Sequence, residues 1–414
     1  MIDVCDIQVM KPLLEQYGFH FSKAKGQNFL TAAWVPKSIA EQAGVNEAAG
    51  VLEIGPGIGS LTQQLCLRAG KVCAVELDRR LEPILRKTVG EFSNLELIWD
   101  DAMKLDLAAL VKEKFPGLRP MACANLPYYI TTPVLTALLE SYGFHFSKAK
   151  GQNFLTAAWV PEAIAREAGV DGGSGVLEIG PGIGSLTQQL CLRAGKVCAV
   201  ELDRRLEPIL RKTVGEFSNL ELIWDDAMKL DLAALVREKF PGLRPMACAN
   251  LPYYITTPVL TALLEAACFS SVTVMVQKEV AQRIAARPGT ADYGAFSIFC
   301  QYHAVPELLF EVGPQCFLPQ PKVTSAVVSL KVRQVRPWDI RDEEIFFQAV
   351  RASFAMRRKK LSNGLAAGFP ELGKAGAESV IAACGLEPSV RGETLGIPEF
   401  AAIANEIAAR RGSK

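Results

Sequence analysis

Gly175-Val176-Leu177-Glu178-Ile179-Gly180-Pro181-Gly182-Ile183-Gly184, continuing into Ser185-Leu186-Thr187-Gln188-Gln189-Leu190, decides the fold. A short apolar run, an alternating glycine turn and a helix start follow one another with no spacer. Glycines let the backbone approach a ligand closely, and helix N-terminal amides offer donors at the same place. Outward from there, Lys196–Glu201 reads as a second strand, Leu220–Asp226 as a third, Pro245–Asn250 as a fourth and Val272–Val276 as a fifth, with helical patterns between them. Apolar runs alternating with helices predict a doubly wound parallel α/β sheet. Leu308–Val312 and Val323–Val332, joined through a Pro-rich stretch, suit a closing antiparallel pair. Beyond Pro337, Ile345, Ala349, Val350, Ser353 and Phe354 recur at spacings of three and four, which predicts helices. Gly385 and Pro398 mark a helix stop and a helix start.

Most of this frame is written twice. Tyr17–Glu140 returns as Tyr142–Glu265 at a constant offset of 125, and nine of the 124 positions differ. The period is too long and the copies too few for a solenoid. Leu-Leu-Glu stands at all three joints: 13–15, 138–140 and 263–265. Everything after Glu265 occurs once. The differences (Lys37/Glu162, Ser38/Ala163, Glu41/Arg166, Gln42/Glu167, Asn46–Ala49/Asp171–Ser174, Lys112/Arg237) read as polar surface or loop positions. The chain is therefore read as residues 1–140, a truncated duplicate; 141–335, a complete domain; and 336–414, a small C-terminal helical domain.

With 414 residues, half of them apolar, the chain can bury a sizeable core. A net charge of +1 means that a nucleic-acid partner must be met by a local basic face. No apolar run approaches a membrane span, and the start shows no secretory pattern, so a cytoplasmic protein is expected. The 11 cysteines form no Cys-x-x-Cys pair and read as small buried hydrophobes. Three histidines without ligand spacing give no metal site.

Glu201, at the end of the second strand, can accept both ribose hydroxyls of a nucleoside. Gly180, Gly182 and Gly184 do not match the dinucleotide spacing, and no phosphate-loop Lys follows. Asp226, at the third strand end, suits either an adenine amine or the cap of the next helix. Asn250-Leu251-Pro252-Tyr253 is the most specific piece. An exocyclic base amine is a poor nucleophile, because its lone pair is delocalised into the ring. The Asn250 oxygen and the Leu251 carbonyl can accept both amine hydrogens and free that pair. Pro252 stiffens the turn, and Tyr253 can stack on an extracted base.

Gly151-Gln152-Asn153-Phe154-Leu155, Leu177–Gly182, Asn250–Tyr253, Gln277–Ala281 with Arg283, and Phe317–Ser325 together resemble the KsgA/RsmA family of rRNA adenine N(6)-dimethyltransferases. The resemblance runs from about Tyr142 to the C-terminus; Thr324 departs from a frequent Asp. It implies a Rossmann-like class I methyltransferase sheet with a small helical domain. It implies S-adenosyl-L-methionine at Asn153, Leu155, Gly180, Glu201, Asp226 and Asn250. Asn250, Leu251, Pro252, Tyr253 and Phe317 would form the catalytic pocket, Phe317 facing Tyr253 across the adenine. The substrate would be two adjacent adenosines near the 3′ end of small-subunit (16S) rRNA in the immature small subunit, met by a monomer.

With an RNA substrate implied, the basic run Arg357-Arg358-Lys359-Lys360, read on a helix, becomes a phosphate contact. Lys148 and Lys150 are weaker candidates for the same face. Two alternatives stand beside this reading: an Erm-type methylase of large-subunit rRNA, and a ribosome-assembly binding factor. Copy 1 repeats Asn28, Leu30, Gly55, Glu76, Asp101 and Asn125 but stops before any fifth strand or counterpart of Phe317. It is expected to be a silent fragment with an open sheet edge.

Overall fold

The computed structural model describes residues 4, 6–17, 34–102, 104–124, 153–155, 157, 159–318 and 320–412. The chain divides into two compact units, Met1–Phe146 and Ser147–Lys414.

The first unit carries β1 (Ala49–Ile54), β2 (Lys71–Glu76), β3 (Leu95–Trp99) and β4 (Arg119–Ala124) in the order β3-β2-β1-β4, all parallel. Helices Ser60–Cys66, Glu82–Thr88 and Leu107–Lys114 connect them. A further helix, Ile7–Gln16, precedes the repeat; Asp6 caps it by accepting the Gln8 amide at 2.8 Å. Its Met10, Leu13 and Leu14 share a core with Ile58, Ile84, Leu85 and Val89. Among the described residues β4 is paired on one side only. Ala122 and Ala124 are exposed there, whereas their counterparts Ala247 and Ala249 are buried.

The second unit contains β5 (Phe154–Leu155), β6 (Ser174–Ile179), β7 (Lys196–Val200), β8 (Leu220–Ile223), β9 (Arg244–Asn250), β10 (Ser271–Gln277), β11 (Ala304–Val312), β12 (Phe317–Leu318) and β13 (Ser325–Val332). Seven of these form one sheet, β11-β13-β10-β9-β6-β7-β8, and β12 pairs with β5 in a separate ribbon. β8, β7, β6, β9 and β10 run parallel, while β13 is antiparallel to both β10 and β11, the predicted closing pair. Strand order reverses between β6 and β9. A crevice opens at the carboxyl ends of the strands at such a switch point. Every residue of β6 is buried, as a parallel strand covered by helices on both faces requires.

After β13, helices Glu343–Ala355, Leu361–Gly368, Gly373–Ala383 and Ile397–Gly412 pack around Phe346, Phe369, Phe400 and Ile403. The same core takes in Tyr293, Ile298 and Tyr302, and the Tyr293 hydroxyl donates to the Leu395 carbonyl at 2.8 Å. The helical part thus shares one core with the segment that follows β10. Gly385 takes φ +70° just beyond Ala383, and Pro398 is the second residue of the last helix.

Two sequence expectations need correction. The copies do not differ only at the surface: Ala49 and Ser174 are fully buried, and Ala163 is 6% exposed. The small side chain is retained because the site lies inside the first strand. Ser174 uses its hydroxyl to donate to Asp171 at 2.9 Å, and Arg244 reaches Asp171 at 2.9 Å and Ser174 at 3.0 Å. Copy 1 has Asn46 and Ala49 at these places, without that cluster. The basic run 357–360 does not lie on a helix but in the turn between Glu343–Ala355 and Leu361–Gly368.

The ten described cysteines are free, and eight are buried. Burial pushes the Cys191 thiol up to about 12, as for an inert core residue. No helix among the described residues is long and apolar enough to cross a membrane.

Candidate active site

One cleft lies at the carboxyl ends of β6, β7, β8 and β9. Asn153, Leu155, Gly180, Glu201, Asp226 and Asn250 line it, and so do Leu251, Pro252, Tyr253 and Phe317. Residues up to 164 positions apart (Asn153 to Phe317) are brought there by the alternation of strand and helix.

The glycine turn forms the floor. Gly182 has φ +61°, and a Cβ there would stand 3.0 Å from the Phe154 ring. Gly184 has φ +89°, and its Cβ would meet the Thr213 hydroxyl at 2.8 Å. Both positions need glycine for conformation and for space. Glu201 holds the turn from the next strand. One carboxylate oxygen accepts from the Gly182 amide at 3.2 Å and the other from the Asp203 amide at 2.8 Å. Burial raises its pKa, and these amide hydrogen bonds oppose the shift. Asp203 is itself pinned by Arg205 at 2.9 and 2.6 Å. Asp226 lies three residues beyond the end of β8 and accepts the Met228 amide at 3.0 Å within a turn; the next helix, Leu232–Lys239, is capped by Asp231 instead, so the expected capping role falls away while Asp226 lines the cleft.

The wall opposite is built from two distant motifs. Phe317 pairs with Leu155 and Leu318 with Phe154, so β12 and β5 form a short antiparallel ribbon. Ser185 donates to the Leu155 carbonyl at 3.0 Å and ties that ribbon to the glycine turn. At the end of β9 the Asn250 amide nitrogen donates to the Asn153 carbonyl at 3.2 Å. That bond fixes the amide plane and leaves the Asn250 side-chain oxygen as the acceptor. The Leu251 amide donates to Met275 at 3.2 Å, which anchors the turn to β10. The Tyr253 hydroxyl shares a 2.8 Å hydrogen bond with Ser325 of β13, and burial raises its pKa. Phe317 is 3% exposed, held by the ribbon.

Sequence reasoning passed over Glu178. Its carboxylate is 1% exposed, and neither oxygen has a hydrogen-bond partner among the described residues; the Thr187 hydroxyl is orphaned likewise. The signal was present as a carboxylate inside the apolar run Val176–Ile179. Burial pushes this carboxyl from 4.5 up to about 8; the nearby Thr187 hydroxyl opposes the shift and the Glu201 charge adds to it. Orphaned polar atoms beside an open glycine cradle, with Glu201 at the strand end, fit a nucleoside-bearing ligand with polar groups on its other half.

The raised pKa has a consequence for stability. A carboxyl that holds its proton more tightly when folded is fully compatible with folding below pH 4.5, and its cost grows as pH rises towards 8. The slope is about 1.4 kcal/mol per pH unit over that interval. Glu178→Gln is expected to raise the melting temperature at pH 8 without added ligand, with the gain shrinking to nothing near the low end. Thermal scans across that pH range check this; a constant difference at every pH would refute it.

The basic run is split in use. The Arg357 guanidinium pairs with Glu393 at 2.8 Å and donates to the Thr290 and Ala291 carbonyls at 3.1 and 2.6 Å. It clasps the helical part to the segment 290–291. Among the described residues Arg358, Lys359 and Lys360 show no such side-chain bonds, and all three are exposed. In copy 1, Glu76 holds Gly57 and Asp78 as Glu201 holds Gly182 and Asp203, at 3.1 and 2.8 Å. Gly55 and Asp101 stand at the matching strand ends, whereas Asn28, Leu30 and Asn125 lie outside the described residues, as do Lys148 and Lys150.

A family model described as ribosomal RNA adenine dimethylase matches residues 18–150 and again 143–407. The ribosomal RNA small subunit methyltransferase A of Alkaliphilus oremlandii is 45% identical over 281 residues, covering 67% of this chain and 98% of that relative. The protein of the same name from Geobacillus thermodenitrificans is 46% identical over 284 residues, covering 67% of this chain and 97% of the relative. Among solved structures, a dimethyladenosine transferase from Plasmodium falciparum superposes with a TM-score of 0.54 at 23% identity, over 62% of this chain and 98% of that one; this likeness concerns the fold.

Proposed function

The chain belongs to the ribosomal RNA adenine dimethylase family, and on that premise we propose that copy 2 dimethylates the 6-amino groups of two adjacent adenosines near the 3′ end of small-subunit rRNA. The protein works as a monomer in the cytoplasm, on the immature small subunit. Its cofactor is S-adenosylmethionine, which when bound supplies an electrophilic methyl group. Gly180, Glu201, Asp226, Asn153 and Leu155 hold the nucleoside and its tail. The Asn250 oxygen and the Leu251 carbonyl accept the two hydrogens of the target amine. This pulls its nitrogen towards tetrahedral geometry and frees the lone pair to accept the methyl; the N–CH3 bond would form as the S–CH3 bond breaks, S-adenosylhomocysteine would leave, the amine would lose one proton to solvent, and a second round at the remaining N–H with fresh cofactor would complete the dimethylation. Tyr253 and Phe317 hold the extracted base between them.

The observation that carries this reading is the Asn250–Asn153 hydrogen bond. It commits the amide nitrogen and leaves the oxygen available to accept from an amine, which supports this reading. The test is direct. Small subunits lacking the modification are incubated with the chain and S-adenosylmethionine, and the digested RNA is searched for dimethyladenosine. The expected result is dimethyladenosine confined to small-subunit RNA near its 3′ end. Modification of large-subunit RNA instead would overturn the proposal in favour of the Erm-type reading. Binding without any modification would favour an assembly factor.

Arg358, Lys359 and Lys360 are the cations offered to RNA phosphates. Reversing all three to Glu is expected to weaken binding and to lower the log–log salt slope by about 0.7–0.9 for each phosphate no longer neutralised. An unchanged slope would make this turn a solvated surface only.

A further inference from the structure

The glycine turn of copy 1 is built like that of copy 2, from residues of the first unit alone. Gly55, Gly57 and Gly59 take φ +72°, +61° and +93°, against +71°, +61° and +89° for Gly180, Gly182 and Gly184. Glu76 clasps the turn through the Gly57 amide and accepts the Asp78 amide, and Arg80 holds Asp78. Asp101 stands beyond β3 as Asp226 stands beyond β8, each with a lysine three residues on, at 3.9 and 3.8 Å. One Glu53 oxygen and the Thr62 hydroxyl are buried without a hydrogen-bond partner among the described residues, repeating the orphaned pair Glu178 and Thr187. Glu53 is 1% exposed. The rim is open: Gly55, Gly57 and Asp101 are half-buried, and Leu77, beside Glu76, is exposed. Behind the turn, Ile58 is buried in a core shared with Met10, Leu13 and Leu14 of helix Ile7–Gln16, whereas its counterpart Ile183 is half-buried. The first unit braces its own turn with a helix that lies outside the repeat.

We propose that this turn is a second, non-catalytic site for the adenosine-bearing cofactor, so that one chain binds two cofactor molecules and uses one of them. The identity of the ligand rests on the reading of copy 2 given above; the site itself rests on the first unit. The glycines let the nucleoside approach the backbone, and Glu76 at the strand end accepts ribose hydroxyls. Glu53 and Thr62 are buried polar groups left for a ligand to pair, which favours any occupant that does so. Chemistry does not follow from this binding. Copy 1 has no sequence equivalent to β10, β12 or β13, so nothing encloses a target base beside the methyl group. The same lack makes the site weaker than its counterpart. In copy 2 Phe317 of β12 walls the cleft, whereas in copy 1 no counterpart of that wall shields the ligand from water.

Equilibrium dialysis of the full chain against radiolabelled S-adenosylhomocysteine counts the sites. The expected result is two per chain, of unequal affinity. Glu76→Ala is expected to weaken only the weaker site, and Glu201→Ala only the tighter one, each by about tenfold or more. Circular dichroism checks that each variant is folded. Glu76→Gln, which keeps the size of the side chain and removes its charge, takes the place of the alanine variant if that one does not fold. The Glu201→Ala chain reads copy 1 with copy 1 unchanged, and it is expected to keep one site at the parent's weaker affinity. One site per chain, weakened by Glu201→Ala, overturns the proposal. So do two sites of which neither responds to Glu76, since the second ligand then lies elsewhere. The dimethyladenosine assay decides the chemistry of copy 2 and the site count decides copy 1, so the two can fail separately. A chain that methylates and binds one ligand refutes only the second site; a chain that binds two and methylates nothing refutes only the proposed reaction.

Discussion

Asn250→Ala is expected to lower kcat for adenine methylation by about 10³-fold, while the cofactor dissociation constant changes by less than about threefold. The asymmetry follows from what Asn250 touches. Its nitrogen bonds the Asn153 carbonyl, and its oxygen is the acceptor left for the target amine. Gly180 and Glu201, proposed to hold the nucleoside end, line the cleft from the ends of other strands. An interaction made chiefly as the amine becomes tetrahedral belongs to the transition state, so its loss appears in turnover and not in cofactor affinity. Single-turnover kinetics on small subunits separate the two, the maximal rate reporting turnover and its dependence on S-adenosylmethionine concentration reporting affinity at the site that reacts. Near-normal turnover would remove Asn250 from the chemistry. An equal loss of cofactor affinity would make it a cofactor residue.

Glu201→Ala is expected to do the reverse, raising the KM for S-adenosylmethionine by about 30-fold or more with a smaller fall in kcat. Hydrogen bonds to a charged group contribute about 1.5–3 kcal/mol. Here the carboxylate also satisfies the Gly182 and Asp203 amides, so its loss loosens the turn. Methylation kinetics, not total binding, is the proper readout, because Glu76 in copy 1 keeps the same local geometry. A KM within twofold of the parent would show that Glu201 only shapes the loop.

Much of this site was legible because parallel strands are long apolar runs and their carboxyl ends mark where a crevice forms. Gly180, Glu201, Asp226 and Asn250 each stand at such an end, so their convergence in one cleft followed from strand order. What escaped was set by tertiary packing. The β5–β12 ribbon joins pairs of residues too short to show any period. Arg357 reads as one of four cations, yet Glu393 and two carbonyls claim it through the packing of a distant turn. Ser174 looks like a loop residue but is fully buried at the start of β6. The burial of Glu178 follows from its register on β6, a central strand paired on both sides.

The duplication gives the chain two glycine turns clasped by a strand-end glutamate, of which only the second stands in a described pocket with Asn250, Tyr253 and Phe317. β10, β12 and β13 supply Met275 behind Leu251, Phe317 and Ser325 behind Tyr253, and copy 1 has no sequence for any of them. Its last described strand, β4, is correspondingly exposed. The central claim is that copy 2 alone performs the chemistry. The most direct measurement is a pair of single variants, Asn125→Ala and Asn250→Ala, assayed for dimethyladenosine on the same immature small subunits. The expected result is full activity for Asn125→Ala and a loss of about 10³-fold for Asn250→Ala. A substantial loss in Asn125→Ala would contradict that claim and make copy 1 a working site.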